Sequence, residues 1–285
     1  MYDKVMACLD HSSYAHGVSD YASWAAKRLS VALEFVHVLE HHQETAHKLD
    51  LSGNIGVGSQ ESLLAELALL DEKRASIALE RGRLLLEAAK QRAYDSGVAD
   101  PQIRQRHGEL VETLAELEAE VGLFVLGKRG EAGDRAPEHL GANLERVVRA
   151  LHRPILVAPI AFKMPQRIMV AYDGGMTARK GVEMLAASTL ISGLECRVVY
   201  VASDSPSSHS QLAWAEQTLS GGGVQVSTAI IDGEPEKALP AYAAANDIDL
   251  VVMGAYGHSR IRQLLVGSTT TSIIRTSNLP VLLLR

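Results

Sequence analysis

The stretch "VVMGAYGHSRIRQLLVGSTTT", residues 251–271, decides how the whole sequence is interpreted. It begins in an apolar run that predicts a buried strand, and it ends where a helical pattern begins. Gly254, Gly257 and Gly267 lie between the two. Because glycine has no Cβ, the backbone at these positions can turn sharply and approach a ligand closely. The spacing therefore points to a ligand at the end of this strand.

The start of the following helix suits an anion. Ser268, Thr269 and Thr270 come directly after Gly267. The first N–H groups of a helix have no intrahelical partner and lie at the positive end of the helix dipole, so they can hold a phosphate. The three hydroxyl groups can add hydrogen bonds. This segment predicts a phosphate site formed largely by the backbone.

The chain repeats itself once. "KVMACLD" in the first half falls on "RIMVAYD" in the second, so that Asp10 corresponds to Asp173. Likewise "LFVLGKRG" falls on "LVVMGAYG", and "GANLERVVRALHRPILVAP" falls on "GSTTTSIIRTSNLPVLLLR". The period is too long for a solenoid and predicts two whole domains, at 1–160 and 165–285. The first domain has an insertion near 43–60, and "IAFKMPQ" joins the two.

Within each half, β-branched runs alternate with amphipathic helical patterns. Such alternation predicts a parallel sheet with helices on both faces, and hence an α/β protein of two tandem Rossmann-like domains. The first half also contains one long helical pattern, "ESLLAELALLDEKRASIALERGRLLLEAAKQRA". Core packing is the simplest explanation of its apolar stripe, with a share left for a partner.

Composition excludes several classes of protein. The 285 residues are 47% apolar and 22% charged, with a net charge of −6. Because no block of like charge stands out, we expect no nucleic-acid binding, and no apolar run is long enough to span a membrane. The start "MYDKVMACLD" lacks a signal pattern, and Cys8 and Cys196 lie in apolar runs. We therefore expect free thiols in a cytoplasmic protein.

Two residues of the second half fall where ligands bind in an open parallel sheet, beyond the carboxyl ends of the strands. Asp173 directly follows one apolar run, and Gly254 directly follows another. If the first and fourth strands are neighbours, the two residues face each other across one crevice. Asp173 could then orient a ribose hydroxyl or a metal-bound water, and Val201 could line an apolar slot for a base. Each signal alone is typical of turns and caps, but together they favour a phosphate ligand.

These residues resemble the universal stress protein family, whose ATP-binding members carry Gly-x2-Gly-x9-Gly-Ser/Thr. The matching positions here are Gly254, Gly257, Gly267 and Ser268. "IMVAYDGG" and "LPVLLLR" also resemble the first and last strands of the family. The resemblance covers the chain twice, so it implies a tandem member. It further implies an open five-stranded parallel sheet in each domain and pairing of the domains through their last strands.

The resemblance also implies a ligand: ATP, or AMP or ADP, together with Mg²⁺. The adenine would lie near Ala171 and Val201, the ribose and metal near Asp173, and the phosphates on the glycine loop. Asp173 would reach the magnesium ion through water. The candidate nucleotide-binding residues of the second half are Ala171, Asp173, Val201, Met253, Gly254, Gly257, His258, Gly267, Ser268, Thr269 and Thr270.

The first half departs from the family pattern. Ten residues, not nine, separate Gly130 from Gly141, and Ala142 stands where the pattern has Ser or Thr. The loop "EAGDRAPEH" also has three acidic side chains, which would oppose a triphosphate. We predict that the second half binds nucleotide and that the first binds it poorly or not at all. The weaker candidates of the first half are Asp10, Val38, Gly127, Gly130 and Gly141.

Three other patterns have simpler explanations. His37, His41, His42 and His47 in "HVLEHHQETAH" could gather around a metal, but a polar loop is the simpler account. "GNIGVGSQES", residues 53–62, does not follow a predicted strand and suggests a flexible loop or lid. His11, Ser12 and Ser13 could serve a Ser–His hydrolase, although helix capping by Ser12 or Ser13 is the simpler prediction.

We therefore expect a stress-response regulator that binds an adenine nucleotide and is not a turnover enzyme. No Lys or Arg lies between Gly254 and Gly257, and only Arg260 and Arg262 follow nearby, so any ATP hydrolysis should be slow. The alternatives are an interaction scaffold of the same fold without nucleotide, or a hydrolase that uses the histidine-rich loop.

The last strand of each half, "PILVAP" and "PVLLLR", is an apolar edge. An unpaired edge of this kind invites aggregation, so we expect the two to pair and make the chain a pseudo-dimer. The sequence identifies no protein partner, and it leaves open whether two chains also form a homodimer.

Overall fold

The structure, a computed structural model, describes residues 4–39, 57–131, 141–255 and 267–285. Strands and helices alternate along both halves. The first half contains β1 (Lys4–Cys8), α1 (Ala15–Leu29), β2 (Ala32–Leu39), α2 (Val57–Asp95), β3 (Gln102–His107), α3 (Leu110–Leu117), β4 (Leu123–Gly127), α4 (Ala142–Ala150) and β5 (Ile155–Ala158). The second half contains β6 (Arg167–Tyr172), α5 (Met176–Ala186), β7 (Glu195–Val201), α6 (Pro206–Gly221), β8 (Gln225–Ile231), α7 (Pro235–Ala245), β9 (Leu250–Gly254), α8 (Ser268–Thr276) and β10 (Val281–Leu284).

The strands form one sheet in the order β3-β2-β1-β4-β5-β10-β9-β6-β7-β8. All pairings within each half are parallel, which confirms the α/β fold and a five-stranded parallel sheet in each half. The halves meet where β5 and β10 pair antiparallel, with Leu156 opposite Leu282. The expected pairing of the last strands is therefore confirmed. Because that pairing is antiparallel, the carboxyl ends of the two parallel sets lie at opposite edges of the sheet.

Helices cover both faces of the sheet. Side chains of α1, α2, α5 and α6 pack on one face, and those of α3, α4, α7 and α8 pack on the other. Along β1, Val5 and Ala7 point to the first face and Met6 points to the second, and all three are fully buried. Burial on both faces explains why central strands such as β1 are continuous apolar runs, whereas the edge strands β3 and β8 are more polar and more exposed.

The segment that joins the halves packs along α1. The ring of Tyr21 lies edge-on to Phe162 with 4.8 Å between centroids, and the Tyr21 hydroxyl donates to the carbonyl of Lys163 at 3.2 Å. Lys163 also pairs with the buried carboxylate of Asp249, 2.6 Å away. These contacts fix the path of the joining segment against both halves.

Helix α2 is long, as the sequence predicts, but core packing explains only part of its apolar stripe. It has 39 residues, whereas its counterpart α6 has 16. Leu86, Ala89 and Ala93 are buried, yet every residue from 65 to 77 is exposed. The core assignment was therefore wrong for that stretch, because the helix extends beyond the body on which its later turns pack.

The helix also takes in part of the predicted insertion. Residues 57–62 belong to α2, so the loop or lid predicted for residues 53–62 is wrong for these six, and residues 53–56 lie outside the described part of the chain. None of the described helices is both long enough and apolar enough to cross a bilayer.

Candidate functional site

Asp173 and Gly254 lie at the ends of neighbouring strands, as the predicted crevice between them requires. β6 and β9 pair in parallel, with Val170 opposite Val252. Asp173 follows the last residue of β6, and Gly254 is the last residue of β9. One carboxylate oxygen of Asp173 accepts a hydrogen bond from the N–H of Gly175 at 2.9 Å, which closes a tight turn ahead of α5. The order β9-β6-β7 places the reversal of the chain at this point, where doubly wound sheets bind ligands.

The start of α8 is fastened to the end of β9. The buried hydroxyl of Thr270 donates to the carbonyl oxygen of Gly254 at 3.1 Å. The N–H of Gly267 donates to the carbonyl of Ala255 at 3.4 Å. Because of these two bonds, the first turn of α8 lies at the same edge of the sheet as Asp173.

The cap of α8 is a residue without a side chain. Gly267 is the N-cap, with φ −55° and ψ 140°, so no side-chain oxygen at this position can accept from the first turn. Ser268 is exposed, Thr269 is half-buried and Thr270 is buried. The free hydroxyl groups are therefore those of the first two residues, because the hydroxyl proton of Thr270 is used inside the protein.

The apolar candidates share one face of the sheet. Ala171 and Val201 are half-buried and pack against the cluster under α7 and α8, and Met253 is buried within it. The structure thus brings Ala171, Val201 and Met253 to the face from which α8 begins. Gly257 and His258 lie outside the described residues, as do Arg260 and Arg262.

At the corresponding place in the first half, the carboxylate of Asp10 bonds to the backbone of its own chain. One carboxylate oxygen of Asp10 accepts from the N–H of Ser12 at 3.1 Å, and the other accepts from the N–H of Glu131 at 3.0 Å. A Cβ on Gly130 would lie 2.8 Å from this second oxygen. Asp10 is therefore engaged by the glycine loop that follows β4, and the loop closes on the carboxylate.

The remaining first-half candidates lie where the repeat predicts. Gly127 ends β4, packed so closely on Tyr14 that a Cβ would lie 2.7 Å from that side chain. Gly141 is the N-cap of α4, and half-buried Val38 is in β2 on the face of α3 and α4. The backbone frame of the first half therefore matches that of the second over the described residues.

Lys128 is a residue that the sequence interpretation missed. It is 8% exposed, and its amino group donates to the carbonyl of Ser277 at the end of α8, 3.0 Å away. Burial, and then the charge of Arg129, lowers the pKa of Lys128 to about 8. The signal was the pair of cations, Lys128 and Arg129, between Gly127 and Gly130 of the first half, where the second half has Ala255 and Tyr256.

The first residue of the histidine cluster, His37, lies in a strand and not in a loop. His37 is buried in β2, and its Nδ1 lies 2.8 Å from the carbonyl oxygen of Leu9. Its ring is edge-on to that of His11, with 5.5 Å between centroids. His41, His42 and His47 lie outside the described residues, and in the part of the chain that is described no group of three or more His, Cys, Asp or Glu could hold a metal ion.

Neither Ser12 nor Ser13 caps α1, so that prediction was wrong. The N-cap is Tyr14, without a side-chain capping bond, and Ser12 accepts from the N–H of Tyr14 at 3.3 Å. Ser12 therefore shapes the turn between Asp10 and the helix. The pKa of His11 is lowered by burial and then by Arg81 and His37, so this imidazole stays neutral to lower pH than usual.

A polar aromatic group beside Asp173 was also missed. Tyr172 stacks on Trp214 with 6.4 Å between ring centroids, and the guanidinium of Arg179 lies 4.7 Å from the centroid of that indole. Gln211 accepts from Arg179 at 2.8 Å and from the Tyr172 hydroxyl at 3.3 Å. The group fixes α5 to α6 on the face opposite Ala171. Sequence spacing gave no signal, because its members come from three elements.

The order of the strands and the crevice beside the reversal define a doubly wound α/β protein with a candidate anion site in its second half. The model of the Universal stress protein family matches residues 1–159 and 207–285, and the chain belongs to this family. The match leaves out residues 160–206, which contain Ala171, Asp173 and Val201. Those three candidates therefore rest on the internal repeat and on the geometry.

Relatives of the same length confirm the family. The chain is 34% identical over 285 residues to universal stress protein Slr1230 of Synechocystis, with 99% of each chain covered. A solved universal stress protein from Archaeoglobus fulgidus superposes with a TM-score of 0.70 at 20% identity, covering 99% of this chain and 96% of that one. A shorter solved universal stress protein, in complex with cAMP, covers 43% of this chain and 98% of its own, with a TM-score of 0.38.

Proposed function

We propose that this protein binds an adenine nucleotide, ATP, ADP or AMP, in the crevice of its second half and acts as a regulator in the stress response. The observation that carries the proposal is the start of α8. A helix capped by Gly267 begins beside Gly254, at the edge of the sheet where Asp173 also lies. Its first N–H groups and its dipole supply a site for phosphate without any cationic side chain.

Each part of a nucleotide has residues suited to it. The phosphates would take the N–H groups of Ser268 and Thr269 and their hydroxyls. The carboxylate of Asp173 would accept from ribose hydroxyls or hold a water of the magnesium ion, because Mg²⁺ prefers oxygen ligands and keeps several waters. Ala171 and Val201 offer half-buried apolar surface to the base. Thr270 is assigned a supporting role, because its hydroxyl already bonds Gly254.

The proposal gives the two halves different roles. In the first half the N–H of Glu131 already bonds the carboxylate of Asp10, and the carboxylate of Glu131 follows in the same turn. A phosphate there would meet the carboxylate of Glu131 in addition to that of Asp10, which is the counterpart of Asp173. We therefore propose that the first half does not bind nucleotide under conditions that fill the second.

The protein is proposed to be a sensor and not a turnover enzyme. Phosphoryl transfer usually relies on a lysine or arginine that neutralises charge on the transferred group. At the position of Lys128 the second half has Ala255, which is buried. Bound ATP should therefore be hydrolysed slowly. The protein surface around the site would then signal to a partner which nucleotide is bound.

Ser268→Asp tests the proposal directly. An aspartate in the first turn favours the helix dipole, so α8 should keep its structure, but its charge would repel phosphate. We expect the Kd for ATP with Mg²⁺ to rise at least about a hundredfold in titration calorimetry, which is about 2.7 kcal/mol.

The matched control is Ala142→Asp, which places the same charge at the start of α4. It should leave the Kd unchanged. Equal loss of affinity in both variants, or a wild-type protein that binds none of the three nucleotides, would contradict the proposal.

A further inference from the structure

The exposed part of α2 is the largest feature that the proposed function does not use. Every residue from 65 to 77 is exposed, and the helix reaches the body only with the later turns that bury Gly82, Leu86 and Ala89. Isolated helices gain little stability of their own in water, and helices in proteins are held mainly by packing of an apolar face. The exposed turns therefore need an explanation.

The apolar residues of this part form a regular stripe. Leu70, Ile77 and Leu84 follow one another at intervals of seven residues and are 52%, 61% and 54% exposed. Leu67, at 40% exposed, lies one turn before Leu70. We call these four residues the α2 stripe. A seven-residue repeat of this kind is the pattern of a helix that packs along another helix.

The stripe is separate from the face that packs on the body. At about 100° per residue, Leu70, Ile77 and Leu84 lie roughly a quarter of a turn or more from the side of Gly82, Leu86 and Ala89. Leu84 is exposed even though its neighbours Leu85 and Leu86 pack on the core. The stripe therefore continues beside the body and stays open to a partner.

The charges in the stripe decide its direction of pairing. Arg74 and Arg81 occupy the positions that alternate with Leu70, Ile77 and Leu84. In a parallel pair of identical helices each arginine would face its own copy, and like charges at the centre of the contact are unfavourable. In an antiparallel pair each arginine faces an aliphatic residue, over which its stem can lie. The exposed guanidinium groups can keep their own ion pairs, Arg81 with Glu131 at 3.9 Å and Arg74 with Asp71 at 3.7 Å.

We propose that the α2 stripe pairs antiparallel with the α2 stripe of a second copy of this chain. The register that we assign sets Leu67 against Leu84, Leu70 against Arg81, and Arg74 against Ile77 of the second copy. It also brings Lys73 of each copy opposite Glu80 of the other, so this pair of opposite charges occurs twice. Glu66 of each copy meets Glu87 of the other only at the exposed ends of the contact.

One neighbouring register fits less well. If the second helix is shifted by one heptad so that the two helices overlap less, Lys73 faces Lys73 of the second copy and Asp71 faces Asp71 of the second copy. In the favoured register Lys73 faces Glu80 and Asp71 faces Ala78, so no like charges meet at these central flanking positions. Arg83 already bonds Glu80 along the same helix at 2.7 Å, and both side chains are exposed. Glu80 can therefore keep this bond and also pair with Lys73 of the second copy. Charge complementarity therefore selects a second copy as the occupant.

The test is a charge exchange read by sedimentation equilibrium. Lys73→Glu alone and Glu80→Lys alone each create like charges across the contact, and each should weaken dimerisation at least tenfold. The double variant restores opposite charges and should return to within about threefold of wild type. In a parallel pair Lys73 would instead face Ala78, so that arrangement predicts no rescue.

Leu70→Glu with Ile77→Glu is the second variant, and it should be a monomer with unchanged helical circular dichroism of the body. Leu69→Glu is its control, because Leu69 is 57% exposed but lies off the stripe. A wild-type chain that is monomeric at all concentrations, or a dimer that survives the double glutamate variant, would overturn the proposal. Nucleotide binding plays no part in these readouts.

Discussion

At the scale of single residues, Thr270 shows how the candidate site is held. Its buried hydroxyl donates to the carbonyl of Gly254 and so positions the first turn of α8 at the end of β9. Thr270→Val keeps the shape but removes the donor. We expect the free energy of unfolding to fall by about 1 kcal/mol, as for one lost hydrogen bond, in urea denaturation. Thr269→Val, at a half-buried neighbour, should change it much less; equal losses would show that the bond is unimportant.

Lys128 should make stability depend on pH in an unusual range. Its pKa is lowered from 10.5 to about 8 by burial and then by Arg129. Between these two values the unfolded chain binds the proton and the folded chain does not, so this group contributes stability that increases as the pH rises from about 8 to about 10.

The comparison with Lys128→Met isolates that contribution. Relative to the variant, the wild type should gain stability between pH 7.5 and pH 10, measured as the difference in free energy of unfolding from urea titrations. A difference that is constant with pH, or that shrinks as the pH rises, would contradict a lowered pKa.

Glycines were easier to interpret from the sequence than the buried side chains of Lys128 and His37. Gly254 and Gly267 lie at the strand end and helix cap that their spacing predicts. Lys128 and His37 were not foreseen, because their roles depend on partners far along the chain. Lys128 bonds Ser277 from the other half, and His37 contacts Leu9 from a neighbouring strand. No local pattern encodes such contacts.

At the scale of elements, the joining segment depends on the close approach of α1. A Cβ on Gly17 would lie 2.0 Å from the carbonyl oxygen of Pro159 and 2.8 Å from that of Ile160. Both are backbone atoms that cannot move without shifting the segment. Gly17→Ala should therefore destabilise the protein by about 2 kcal/mol or more, the scale of overpacked cores.

Gly221→Ala is the control for that substitution. Gly221 ends α6, and a Cβ there would meet nothing within 4 Å. Because alanine favours helix over glycine, this variant should be neutral or slightly stabilising in thermal unfolding. If Gly17→Ala were equally well tolerated, the packing of the segment on α1 would be looser than described.

The helices and strands were largely predictable, because their apolar periods differ clearly. β7, at Glu195–Val201, and α2, through residues 61–93, were both foreseen. The sequence could not show where the body under α2 ends, because an apolar stripe has the same spacing whether it meets the core or a second copy. For this reason core packing was the simplest prediction for the whole stripe, with a share left for a partner, and Leu70 and Ile77 prove to be exposed.

At the scale of the whole molecule, the two halves support each other through helix ends. Lys128 of the first half bonds the carbonyl of Ser277 after α8, and Arg285 of the second half bonds the carbonyls of Val148 and Arg149 at α4. Cations at helix carboxyl ends are favourable, so each half stabilises a helix of the other. Since α8 also begins at the proposed nucleotide site, that site belongs to the joined molecule and not to one half alone.

The antiparallel junction also keeps the two crevices apart. The carboxyl ends of β1 and β4 lie at one edge of the sheet, and those of β6 and β9 lie at the other. A single nucleotide therefore cannot bridge both. The repeat in the sequence predicts two similar crevices, and the structure adds that Asp10 of the first half accepts hydrogen bonds from the N–H groups of Ser12 and Glu131.

The number of nucleotides bound per chain tests this account most directly. Protein purified without added nucleotide would be denatured, and the supernatant run on anion exchange against AMP, ADP and ATP standards. Depleted protein would then be titrated with each nucleotide and Mg²⁺. We expect about one nucleotide per chain, because the second half has Ser268 at the start of its helix where the first has Ala142, and because Glu131 adds a negative charge beside Asp10. About two per chain would contradict the difference between the halves, and none, either retained or bound on titration, would contradict the nucleotide site itself.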